Sequence, residues 1–154
     1  MNMGRSKQQR VLAVASSGGH WIQLRRLAPA FEDQDIAYLT TDRGHRAEVG
    51  NARFYTVNDA NRWNKLALMR CALKVLWTLL RERPNVVVST GAAPGYLAIR
   101  GGRLLGARTL WIDSVANVEE LSMSGRMASN TADLCLTQWP HLASGNVQYL
   151  GAVL

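Results

Sequence analysis

Five apolar residues in a row, Val11-Leu12-Ala13-Val14-Ala15, run into the turn Ser16-Ser17-Gly18-Gly19-His20, and Trp21, Leu24, Leu27 and Ala28 then recur at helical spacing. An unbroken apolar run of strand length suits a parallel strand covered on both faces, and three- and four-residue recurrence puts the later residues on one helix face. The same alternation continues along the chain. Strands are predicted over 11–15, 36–41, 52–57, 85–91, 109–112, 134–137 and 147–150, with helical patterns or polar loops between them. The expected fold is α/β: a single doubly wound, mainly parallel sheet of six or seven strands over residues 11–154, behind a basic tail at 1–10 that carries Arg5, Lys7 and Arg10. A chain of 154 residues fits one such domain.

Two strand-to-helix turns are the candidate binding elements. Gly18 and Gly19 lack a Cβ, so the first turn can take positive φ and admit a ligand close to the backbone, where the first N–H groups of the helix point. That arrangement suits a phosphate or diphosphate; a tight turn capped by Ser16 or Ser17 fits the same residues. Neither the G-x-G-x-x-G nor the G-x-x-x-x-G-K-[ST] pattern occurs. The second turn is Thr90-Gly91-Ala92-Ala93-Pro94-Gly95, leading into a helix predicted over 96–105. If the two strands are neighbours, both turns face one crevice. Asp113 and Ser114 follow a third strand, where a carboxylate can take a proton or hold a sugar, or simply cap a loop.

The net charge of +7 is unevenly placed. Residues 1–108 carry 17 Lys/Arg against seven Asp/Glu, whereas 109–154 carry one Arg against four acids. A basic field of this kind calls for an anionic partner. No helix-turn-helix, zinc or RNP pattern supports nucleic acid. Cys71 and Cys135 sit in apolar runs without paired-ligand spacing, so reduced buried thiols are expected and no metal or cofactor site is predicted. Asp33-Gln34-Asp35 falls where a helix ends and a strand begins, and reads as a solvated turn. His45 is expected on the surface and His141 in a loop.

The longest helical pattern spans 62–83 and stops at Pro84. Leu66, Met69, Leu73, Leu76 and Leu80 make the expected core-facing stripe, and Leu68, Ala72, Val75 and Leu79 a second one. Arg70, Lys74 and Arg81 line another side, flanked by Trp63 and Trp77. So wide an apolar arc beside cations and indoles fits a helix lying in a membrane interface, and equally a central helix buried on two sides. No segment has the ~20 apolar residues of a spanning helix, and the N-terminus does not read as a secretory signal.

Taken in order, SSGGH, STGAAPG, IDSVANVEELSMSG, ADLCLTQWP and VQYLG resemble the membrane-subunit half of two-component UDP-sugar transferases. These include the eukaryotic subunit for the second GlcNAc on dolichol-diphosphate and the PssD- and CpsF-like exopolysaccharide and capsule proteins; the N-terminal half of MurG is a more distant likeness. The resemblance covers residues 11–151. It implies the Rossmann-like N-terminal half of a GT-B glycosyltransferase, holding a polyprenyl-diphosphate-linked acceptor while a separate chain binds the UDP-sugar. It further implies an inverting hexosyltransferase subunit, inactive without its partner, peripheral on the cytoplasmic face of the plasma membrane and needing no cofactor. Carried over by position, Ser17, Gly18, Gly19, His20, Thr90, Gly91, Ala92 and Ser114 fall in the acceptor-diphosphate site. His20 and Asp113 become candidate catalytic groups, although the eukaryotic subunits usually have Glu at the position of Asp113. Trp63, Arg70, Lys74, Trp77 and Arg81 become candidate membrane-docking residues. A non-catalytic membrane scaffold that recruits the transferase is the alternative.

Overall fold

The computed structural model describes residues 7–153. Most of the predicted tail, Arg5 included, lies outside them, and Arg10 already opens the first strand. The strands are β1 (Arg10–Ala15), β2 (Asp35–Thr40), β3 (Arg53–Thr56), β4 (Val86–Gly91), β5 (Arg108–Ile112), β6 (Leu134–Thr137) and β7 (Val147–Tyr149). They form one sheet in the order β3-β2-β1-β4-β5-β6-β7, and every neighbouring pair is parallel. The helices are α1 (Gly19–Arg26), α2 (Lys65–Glu82), α3 (Ala92–Leu104) and α4 (Met123–Ala128).

Alternate residues of β1 explain the layering. Val11, Ala13 and Ala15 pack with Trp21 and Leu24 of α1 on one face. Leu12 and Val14 pack with Val75 and Leu79 of α2 and Ile99 of α3 on the other. Both faces are covered, as the unbroken apolar run requires. The chain winds outward from β1 to β3, then returns along α2 to place β4 on the free side of β1. Strand order therefore reverses between β1 and β4, and the crevice beyond the carboxyl ends of those two strands is where such sheets bind ligands.

The long helix corrects the sequence reading. Leu66, Met69, Leu73, Leu76 and Leu80, expected in the core, are 42–61% exposed, whereas Cys71, Val75, Thr78, Leu79 and Glu82 are buried. The rotation is fixed by a polar tie to the sheet. The Glu82 carboxylate accepts from Arg53 of β3 at 2.9 and 3.0 Å and from the Tyr55 hydroxyl, while buried Thr78 satisfies its hydroxyl within the helix on the Lys74 carbonyl at 2.9 Å. Arg53 also pairs with Asp35, so the last acid of the predicted solvated turn ties β2 to β3. A buried carboxylate needs its cation, and turning the other apolar arc inward would pull Glu82 away from Arg53.

Three further departures are local. Residues Arg43–Val49, expected as a polar loop, wind into a 3-10 helix capped by Asp42, which accepts from the Gly44 N–H at 2.8 Å. His45 is not a free surface residue: its ring stacks on Trp21 at 4.7 Å between centroids. Helix α3 starts at Ala92 rather than at 96, because Pro94 in a first turn gives up an N–H that has no intrahelical partner there. Both cysteines are free and buried, and burial pushes the Cys71 thiol up to about 11 and that of Cys135 up to about 12. Among the described residues no helix is long and apolar enough to cross a membrane.

Candidate functional site

The two glycine turns meet at the reversal point. Val14 of β1 pairs with Ser89 of β4, but Ala15 pairs with Gly91, so the register slips and Thr90 is the extra residue. That bulge frees the Thr90 backbone and side chain for the first turn. The Thr90 hydroxyl donates to the His20 carbonyl at 2.6 Å, and the Thr90 carbonyl lies 2.9 Å from His20 Nδ1. A carbonyl only accepts, so in the neutral ring the proton sits on Nδ1 and Nε2 keeps its lone pair. Residues 70 apart in sequence are thus locked together by two reciprocal hydrogen bonds.

Gly91 is what lets the ring lie there. Its φ is 147°, and a Cβ would come 2.2 Å from His20 Nδ1. Ala92 beside it holds a positive φ of 67°, a costly conformation for a residue with a side chain. The first turn is the reverse case. Gly18 also has positive φ, 79°, but a Cβ on Gly18 or Gly19 would meet nothing within 4 Å.

Neither α1 nor α3 has a side-chain cap. The first bond inside α1 runs from Ile22 N–H to the Gly18 carbonyl, so the N–H groups of Gly19, His20 and Trp21 precede it. Two uncapped helix starts therefore stand side by side at the ends of adjacent strands, and helix dipoles favour an anion at such ends. Neither Ser16 nor Ser17, the alternative caps, serves as one, and Ser17 gives its N–H to Thr41 Oγ1 at 2.9 Å.

The third strand end is built differently. Asp113 is 1% exposed and both of its oxygens are occupied. Oδ1 accepts from Ser122 Oγ at 2.6 Å and Trp111 Nε1 at 3.1 Å, while Oδ2 accepts from Ser122 N–H at 2.9 Å and Asn117 Nδ2 at 3.1 Å. This carboxylate organises the loop 114–122 and the start of α4. Ser114 is likewise buried, its hydroxyl accepting from Gln23 Nε2 at 3.0 Å and from the Ala116 N–H at 3.2 Å. Gln138 Nε2 reaches Gln23 Oε1 at 2.7 Å and the Asp113 carbonyl at 2.9 Å, so α1 and the ends of β5 and β6 form one buried polar tie. Gln23 and Gln138 were not singled out by sequence. Gln138 lies inside the LTQWP stretch, and Gln23 is a polar residue among apolar ones, which is the only local signal of such a tie.

On the outer side of the molecule α2 presents the stripe already described, with Trp63 80% exposed. Arg62 lies 4.5 Å over the Trp63 ring. Lys74 and Arg81 lie 5.7 and 5.4 Å from the ring centre of Trp77, and Arg70 is exposed along the same flank. The helix therefore has three arcs: one buried, one apolar and exposed, and one cationic.

A family model described as oligosaccharide biosynthesis protein Alg14 like matches residues 51–153. The UDP-N-acetylglucosamine transferase subunit ALG14 of Eremothecium gossypii is 25% identical over 181 residues, covering 91% of this chain and 77% of that protein. Among solved structures, MurG of Acinetobacter baumannii superposes with a TM-score of 0.75 at 15% identity, over 92% of this chain and 45% of that one. A UDP-N-acetylglucosamine 2-epimerase from Rickettsia bellii gives 0.69 at 13% identity, over 95% and 45%. The chain spans less than half the length of these solved structures, and at such identities the likeness is one of fold.

Proposed function

The chain belongs to the Alg14-like family of oligosaccharide biosynthesis proteins, and from that premise we propose that it is the acceptor-side, membrane-associating subunit of a two-chain inverting glycosyltransferase. The reaction moves a sugar from a UDP-sugar to a polyprenyl-diphosphate-linked saccharide, in lipid-linked oligosaccharide or exopolysaccharide synthesis on the cytoplasmic membrane face. The observation that supports the reading is the interlock of His20 with Thr90, which ties the two uncapped helix starts together.

In this reading the amides ahead of α1 and α3 hold the acceptor diphosphate as fixed dipoles. Gly18, Gly19 and Ala92 supply that backbone, beside Ser17 and Gly91, whose own N–H groups are given to Thr41 Oγ1 and Ser89 Oγ, and Thr90, whose carbonyl faces His20. The acceptor hydroxyl gives its proton to His20 Nε2 as its oxygen bonds to the anomeric carbon, and the bond from that carbon to UDP breaks on the opposite side. Asp113 and Ser114 take no proton; they position the loop at the far side of the crevice through the contacts above. The donor-binding chain brings the UDP-sugar, and holding both substrates together supplies much of the rate. The exposed arc of α2, with Trp63 and Trp77 at the interface and Arg70, Lys74 and Arg81 toward anionic headgroups, docks the subunit on the bilayer.

The test is reconstitution. The purified chain, a donor-side partner, a UDP-sugar and a polyprenyl-diphosphate acceptor together should give transfer that neither chain gives singly. Transfer by this chain alone would overturn the two-chain reading. If His20→Ala and Asp113→Asn both still form the complex and turnover is unchanged in each, the chain is a recruiting scaffold instead.

A further inference from the structure

The carboxyl ends of β2 and β3 open into a second recess of 260 Å³, walled by Thr41, Arg43, Thr56, Asn58, Arg70 and Lys74. Arg43 comes from the 3-10 segment after β2, and Arg70 and Lys74 come from α2. None of the three is in an ion pair among the described residues, whose salt bridges use Arg53, Arg103, Arg126 and His45. The carboxylates next to the recess in sequence are turned to their own backbone: Asp42 accepts from the Gly44 N–H and Asp59 from the Ala60 N–H.

Three cations gathered from two elements without a counter-ion repel one another, so an anion seated among them is favoured. Guanidinium forks and an ammonium match the oxygens of a phosphoryl group, and the Thr56 hydroxyl with the Asn58 amide adds neutral donors. The volume lies below the ~300–1,000 Å³ of pockets that take a whole small molecule. It fits a charged group rather than a nucleotide.

Position narrows the ligand further. Thr41 is a wall shared with the first glycine turn, since its Oγ1 accepts from Ser17 N–H at 2.9 Å and its hydroxyl lies 3.2 Å from Ser17 Oγ. On the other flank, Arg70 and Lys74 stand beside the exposed Leu66, Leu73 and Trp77 of α2. The recess thus lies between the amide crevice and an apolar surface. We infer that it seats a phosphoryl group of a diphosphate ester whose hydrocarbon chain leaves over the outer arc of α2, which makes Arg43, Arg70 and Lys74 determinants of acceptor specificity. This rests on the acceptor-side reading above, but its test needs no turnover.

The full chain is titrated with inorganic diphosphate by calorimetry. Saturable binding is expected, weakened at least tenfold in Arg43→Gln/Lys74→Gln and less than twofold in the charge-matched Arg100→Gln/Arg108→Gln. Equal loss in both pairs, or no loss in the first, overturns the site. Flotation separates two sources of the phosphoryl group. Arg43→Gln should lose retention on neutral vesicles carrying a polyprenyl diphosphate while keeping wild-type retention on phosphatidylglycerol vesicles without it; equal loss from both makes the recess a general headgroup contact and overturns the inference. Should the chain bind diphosphate through these residues yet support no sugar transfer with a donor-side partner, the acceptor reading falls and the recess stands.

Discussion

The two glycine turns look alike in sequence and are opposites in the fold. Around Gly18 and Gly19 a side chain would find open space, whereas at Gly91 it would strike the His20 ring at 2.2 Å. The first turn is therefore open beside its glycines. The second is filled, and what fills it is a residue of the first turn, held by Thr90. In one turn glycine borders open space; in the other it makes room for the candidate base. The paired turns are therefore asymmetric, one open and one packed against His20.

Gly91→Ala should break this arrangement most severely. The added methyl collides with His20 in a backbone conformation that disfavours a side chain, and overpacking of this kind costs ~1–3 kcal/mol before backbone strain of similar size is added. Thermal unfolding should shift down accordingly, and transfer in the reconstituted pair should fall below detection. Because the collision is with one ring, His20→Ala/Gly91→Ala should be closer in stability to His20→Ala than Gly91→Ala is to the wild type. Additive losses would mean that the two turns are not coupled. His20→Ala alone should rank next, lowering kcat by ~10²–10⁴ as removal of a general base does, with the partner still bound in a pull-down. An unchanged kcat would place the chemistry elsewhere.

Much of this frame was readable from the residues. Apolar runs too short for helices and too continuous for one-sided strands gave all seven strands within a residue or two, and β–α alternation implied parallel order. The adjacency of β1 and β4, which the sequence reading had only as a condition, is supplied by the strand order. What the sequence could not carry is rotation and long-range contact. Helix α2 is apolar on two arcs, and periodicity has no means of telling which is covered; the choice was made by Glu82 and Arg53, residues on different elements. His45 reads as solvated because nothing local announces the Trp21 ring beneath it. Asp113 reads either as an available acid or as a loop cap, and its four donors, from Trp111, Asn117 and Ser122, decide for the loop, because a carboxylate's exposure is not written in its neighbours.

That last residue gives a third and smaller test. Asp113→Asn keeps the shape of the group but puts an amide donor where donors already point, leaving a buried polar pair unmatched at ~1–3 kcal/mol. The expected signature is a lower unfolding temperature with kcat reduced much less than in His20→Ala. A kcat loss equal to that of His20→Ala without loss of stability would assign Asp113 to the proton transfer and move the chemistry from the first turn to the end of β5.

The smallest effect is expected at Gly19, and it is the most informative about the open side. Gly19 begins α1, its Cβ would meet nothing within 4 Å, and its φ is not in the positive range. Alanine is the better helix former by up to ~1 kcal/mol in a helix interior and by less at an end. Gly19→Ala should therefore leave the unfolding temperature unchanged or slightly raised, the opposite of Gly91→Ala for the same chemical change. If the crevice floor is where the diphosphate lies, the new methyl stands in its way, and the acceptor KM should rise several-fold with kcat nearly intact. A stability loss matching that of Gly91→Ala would erase the contrast between the turns, and an unaltered KM would move the anion from the amides of α1 toward the cations around Thr41.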